Sequence, residues 1–178
     1  MTGVRILAVL ALGALPLAAA KAAGLAISKT QLVVADAVNA LNPRAVPGAT
    51  VDYAITVTNT NGVLSGQAIA NVAITDAIPA KTMLRVTDYG SAGSGPVEFA
   101  DGNLLGTGLL GSGVAYGFAG LASATDSVDF SADGVTWTYV PVPDAGGYDA
   151  RVRAVRIRLS GTQVAATSFR LRFRVRVS

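Results

Sequence analysis

Apolar and polar positions alternate with a period of two along much of this 178-residue chain. In Val51-Asp52-Tyr53-Ala54-Ile55-Thr56-Val57-Thr58 the odd positions are large and apolar and the even ones small or polar, as a strand with one buried face requires. Turn-forming clusters bracket it, Pro47-Gly48 before and Asn59-Thr60-Asn61-Gly62 after. The same period predicts strands over residues 25–34, 71–75 and 83–89, with a long connection over 36–47 and a break at Asp76-Ala77-Ile78-Pro79. Asp133-Gly134, set between residues 127–131 and 135–140, predicts a hairpin turn. Val152 and Ala154 are out of phase with Val155, Ile157 and Leu159, which predicts a β-bulge near Arg153 to Val155.

The alternation is strongest at the end of the chain. Phe169, Leu171, Phe173, Val175 and Val177 take every second place, and Arg170, Arg172, Arg174 and Arg176 the places between. One face of that strand is core and the other an arginine row, with neighbouring arginines roughly 6.6 Å apart. Residues 90–120 hold ten of the 20 glycines and are expected to be loop-rich and mobile, with short β pieces at Val97-Glu98-Phe99 and Val114-Ala115-Tyr116. Convincing amphipathic helices are absent. The pattern predicts an all-β fold, an antiparallel β-sandwich.

The first residues break the pattern. Arg5, an apolar run from Ile6 to Leu17 and the small-residue exit around Lys21 have the order of a secretory signal. Gly13 and Pro16 interrupt the run, and Lys21 ends it short of the roughly 20 apolar residues that a membrane-spanning helix needs. Residues 1–22 are therefore expected to be a signal peptide, cleaved after Ala20 or Ala22, and 23–178 a single β-sandwich domain with no transmembrane segment. The expected location is the periplasm, the cell surface or the exterior.

Composition narrows the chemistry. The chain has no cysteine and no histidine, which removes disulfide staples, the usual zinc, haem and iron-sulfur ligands, and any Ser-His-Asp or Cys-His nucleophile pair. No cofactor is expected. The net charge of +3 is unevenly spread: eight of 14 basic residues lie between Arg151 and Arg176, and six of 11 acids between Asp101 and Asp149.

Three motifs resemble a domain family: Pro47-Gly48-Ala49-Thr50-Val51-Asp52-Tyr53, then Ile55-Thr56-Val57-Thr58-Asn59-Thr60, then Asn71-Val72-Ala73-Ile74-Thr75-Asp76 with Ile78-Pro79. Together with Phe169-Arg170-Leu171-Arg172-Phe173-Arg174-Val175 they resemble the conserved-repeat domain of bacterial surface proteins, the eleventh in the series of domains of unknown function. The resemblance implies an immunoglobulin-like sandwich of exported proteins and brings no catalytic residues with it.

Other matches are weaker. Gly106-Thr107-Gly108-Leu109-Leu110-Gly111 fits G-x-G-x-x-G but lacks the strand and helix that a dinucleotide site needs. Ser131-Ala132-Asp133-Gly134-Val135-Thr136-Trp137 resembles a hairpin-turn box, in which Asp133 caps the turn and Trp137 packs nearby. Asp126, Asp129, Asp133, Asp144 and Asp149 are either solvated loop acids, partners for the arginines, or calcium ligands that follow neither the EF-hand nor the repeated nonapeptide spacing.

These features predict a non-catalytic structural or interaction module of the bacterial envelope, with itself or other surface proteins as partners. In a self-assembling form, an edge strand such as residues 25–34 would complete a neighbour's sheet. The alternative is an anion-binding surface of Arg170, Arg172, Arg174 and Arg176 for a polysaccharide or lipid head group. Nucleic acid is disfavoured by the scarcity of aromatics among these arginines.

Overall fold

The computed structural model describes residues 7–10, 20–22 and 24–178 except 103–109, with side chains from residue 24 onward. Most of the expected signal peptide and of the G-x-G-x-x-G match lies outside the described residues. Among those residues the strands are β1 (Leu7–Leu10), β2 (Ala20–Ala22), β3 (Leu25–Ala35), β4 (Thr50–Asn59), β5 (Ile69–Ala70), β6 (Ala73–Ala77) and β7 (Thr82–Arg85). They continue with β8 (Val97–Asp101), β9 (Val114–Ala115), β10 (Val128–Ser131), β11 (Tyr148–Asp149), β12 (Ala154–Arg158), β13 (Ser160–Gln163) and β14 (Ser168–Val177). The one helical element among the described residues is a three-residue 3-10 turn, Val63–Ser65. No helix of the described residues is long and apolar enough to cross a membrane.

Two main sheets enclose the core, and β5-β13-β9 form a third, three-stranded one. The larger runs β2-β3-β4-β14, with β8 and β7 sharing the far side of β14 and β11 beyond β7; the smaller runs β1-β6-β12-β10. All pairings are antiparallel except β1 with β6. Phe169, Leu171, Phe173 and Val175 of β14 and Val51, Tyr53, Ile55 and Val57 of β4 point inward to meet Ile74, Val128, Phe130, Val155 and Ile157 from the other sheet. Each such side chain contributes about 1.5–3 kcal/mol by leaving water. The odd-position alternation predicted for β4 and β14 is therefore the inner face of one sheet.

Two expected boundaries are corrected. The strand expected over 71–75 begins at Ala73, because Asn71 has a positive φ of 55°, and it runs through Asp76, which belongs to the strand. The strand expected over 83–89 ends at Arg85, after which the amide of Val86 donates to the carbonyl of Gly147. β12 pairs without a register shift from Ala154 to Arg158 with β6, and from Ala154 to Ile157 with β10, while the amide of Arg153 also donates to the carbonyl of Ser131, the partner of Ala154, so two residues meet one at the place where the bulge is expected. Val152, Ala154 and Val155 are all buried, so both phases reach the core. The one register shift along these ladders lies between Val33 and Ala35 of β3.

The hairpin at Asp133-Gly134 is corrected too. Gly134 has the positive φ that the turn needs, 80°, but residues 135–140 form only one bridge, Tyr139 to Phe130. β10 takes β12 as its ladder partner instead. The glycine-rich stretch is loop-rich, yet β8 is fastened to β14 from Phe169 to Phe173, and Gly113 lets the chain lie against β13, since a Cβ there would sit 2.6 Å from the carbonyl oxygen of Thr162.

Candidate functional site

The arginine row lies on the outer face of β14, in the middle of the larger sheet, so register decides what stands beside each guanidinium. Arg174 is opposite Asp52 of β4, and Arg172 opposite Glu98 of β8. Both make two-pronged pairs: Arg174 Nε and Nη2 reach the Asp52 oxygens at 2.6 and 2.9 Å, and Arg172 holds Glu98 through Nε and, at 2.7 Å, Nη2. Planar forks of this kind are the strong form of the charge-assisted hydrogen bond. Tyr89 sits under both, its ring 5.2 Å from each guanidinium carbon, and its hydroxyl donates to Asp52 at 2.7 Å.

These contacts set the ionisation of the row. Burial pushes the Asp52 carboxyl up, but the hydrogen bonds from Arg174 and Tyr89 outweigh it and hold it below the usual range. Tyr89 is pushed up to about 12 by burial and by its bond to Asp52. Farther along, Arg176 meets Asp144 at 2.6 Å and stacks over Tyr148 at 4.4 Å. Arg170 has no carboxylate partner among the described residues, and its Nε is buried without a hydrogen bond. An incoming anion would thus compete with Glu98, Asp52 and Asp144 at three of the four positions.

The loop acids are dispersed. Asp129 takes Arg156 and Arg158 at 2.9 and 2.7 Å, and Trp137 lies 4.6 Å from the Arg156 guanidinium. Asp133 accepts from Thr136 Oγ1, from the amides of Val135 and Thr136, and from Ser131 Oγ, so its carboxyl is held far below the usual range. Burial raises Asp149, but Tyr139 and the amides of Val142 and Arg151 bring it below its ordinary value. Asp126 accepts from the amides of Ala119 and Val128. Among the described residues no three acids gather as metal ligands do.

One charged pair escaped the sequence reading. Lys29 of β3 and Asp76 of β6 meet across the core, one from each sheet, with side chains 0% and 1% exposed. Lys29 Nζ is 2.7 Å from Asp76 Oδ1 and 2.5 Å from Oδ2. The rings of Tyr53 and Phe173, stacked 5.5 Å apart, wall it in at 4.6 and 5.5 Å. Burial raises the Asp76 carboxyl above its ordinary value, with Lys29 and the Ala77 amide pulling the other way. The signal was present in the phase of the pattern: Lys29 continues the core positions Leu25 and Ile27, and Asp76 continues Ile74.

Compared with family models, with curated proteins and with solved structures, the chain finds no match.

Proposed function

We propose that the mature domain is an exported, non-catalytic structural module of the bacterial envelope or surface, an immunoglobulin-like sandwich that joins further copies of itself by adding strands to its open edges. One observation carries this reading. The two sheet edges on one flank, the outer side of β6 and the start of β3, are occupied by strands from the first 22 residues: Leu7–Leu10 pairs with residues 73–76, and Ala20–Ala22 with residues 25–27. Those residues are the expected signal peptide. Its removal would bare both edges and the apolar seam between them, lined by Leu25, Ile27, Ile69, Val72 and Ile74. Edge strands with unpaired backbone groups are templates for another chain.

A second copy has the chemistry to fill them. Residues 28–35 of β3 have no partner on their outer side among the described residues. Leu32 and Val34 there are 67% and 41% exposed, and Val38 and Leu41 follow at 87% and 99%. Backbone pairing would supply affinity and these side chains specificity. Size-exclusion chromatography and negative-stain microscopy of the mature protein should show concentration-dependent, ordered assemblies that the Leu32→Lys/Val34→Lys variant does not form. Monodisperse particles of the mature protein at every concentration would overturn the proposal.

A further inference from the structure

The contact between Lys29 and Asp76 is closer than an ion pair needs. A nitrogen 2.7 and 2.5 Å from the two oxygens of one carboxyl group lies, by triangle geometry, within about 3 Å of the carbon between them, the range from which a nucleophile attacks. Both groups are sealed from water, the two aromatic rings stand 4.6 and 5.5 Å from the amine, and its hydrogen bond among the described residues goes to Asp76. As an ion pair the arrangement is a poor stabiliser, because desolvating two charges costs about as much as their attraction returns. An amide at the same place would carry no charge at all.

We propose that Lys29 and Asp76 are joined by an intramolecular isopeptide bond that the folded domain forms on itself. A proton passes from the ammonium of Lys29 to the carboxylate of Asp76, giving an amine and a carboxylic acid. The amine lone pair attacks Cγ, the Nζ–Cγ bond forms, and one Cγ–O bond breaks. The departing hydroxyl takes the second amine proton and leaves as one water molecule. No oxidant or co-reactant is needed. Burial supports the first step, since it favours the neutral acid at Asp76. The bond would tie β3 to β6 across the sandwich, a covalent staple in a chain without cysteine.

Intact-mass spectrometry of the purified protein, with its N-terminus established by peptide mapping, tests this without requiring any variant to fold. The expected mass is one water below that of the sequence, and tryptic digestion should yield the peptide bearing residue 29 linked to the peptide bearing residue 76. Lys29→Arg should restore the full sequence mass. Asp76→Asn should close with loss of ammonia and arrive at the wild-type mass. A wild-type protein at its full sequence mass overturns the proposal, as does a one-water deficit that persists in Lys29→Arg. The measurement is independent of assembly, so failure of either proposal leaves the other standing.

Discussion

Across the thickness of one sheet, neighbouring residues place the same chemistry in two settings. Tyr53 and Phe173, paired in register, face inward and wall Lys29, whereas Asp52 and Arg174, the next pair along, face outward beside Tyr89. Each side has a cation, a carboxylate and an aromatic ring. Outside, the Arg174 side chain is 23% exposed, water still solvates the pair, and hydrogen bonds to the charged form win over burial, so Asp52 is held low. Inside, burial wins and Asp76 is held high. The number of water molecules left, more than the identity of the partners, decides whether a carboxylate beside a cation remains an ion or becomes a reactive acid.

The inner pair should give the largest effects. Removing one member, as in Asp76→Ala or Lys29→Ala, leaves an uncompensated buried group and should cost about 3–5 kcal/mol in denaturant unfolding. The Lys29→Met/Asp76→Leu double variant separates the two accounts of that pair. An ion pair replaced by apolar side chains would leave stability near wild type. Loss of a cross-link that closes a 47-residue separation should instead lower it by about 4 kcal/mol on the chain-entropy model.

The outer pair is weaker and titrates. Arg174→Met should cost about 1–2 kcal/mol and reduce the dependence of stability on salt. Because the folded carboxyl of Asp52 lies below its unfolded value of about 3.9, its contribution is complete above that pH and is lost as pH falls through the folded value. Acid unfolding of Asp52→Asn should therefore show a shallower pH slope than wild type. The smallest change is expected from Arg176→Ser, whose partner Asp144 is 43% exposed; thermal melting should barely register it.

What the sequence disclosed divides along the same line. Strands with one apolar face, β4 and β14, were legible because a slip of one residue would turn every core side chain to solvent. The hairpin at Asp133-Gly134 was misjudged because turn chemistry is local, while the partner of β10 is β12, chosen by packing of Phe130 and Val155. The arginine row was legible as a row but not as a set of pairs. Its acids come from positions 52, 98 and 144, which only register and loop closure bring together. Lys29 and Asp76 went unnoticed as a pair because each stands among other polar residues, Ser28, Thr30 and Gln31 in β3 and Thr75 in β6, and nothing local says that the two strands face each other.

The order β3-β4-β14 also fixes how the domain would respond to tension. β3 and β14 both run antiparallel to β4, so Leu25 lies beside Asn59 at one end and Arg176 beside Thr50 at the other. Pulling on the two ends of the domain would slide β3 and β14 lengthwise in opposite directions along β4, loading the rungs of both ladders together instead of opening them one at a time. Such an element resists stretching far more than it resists peeling.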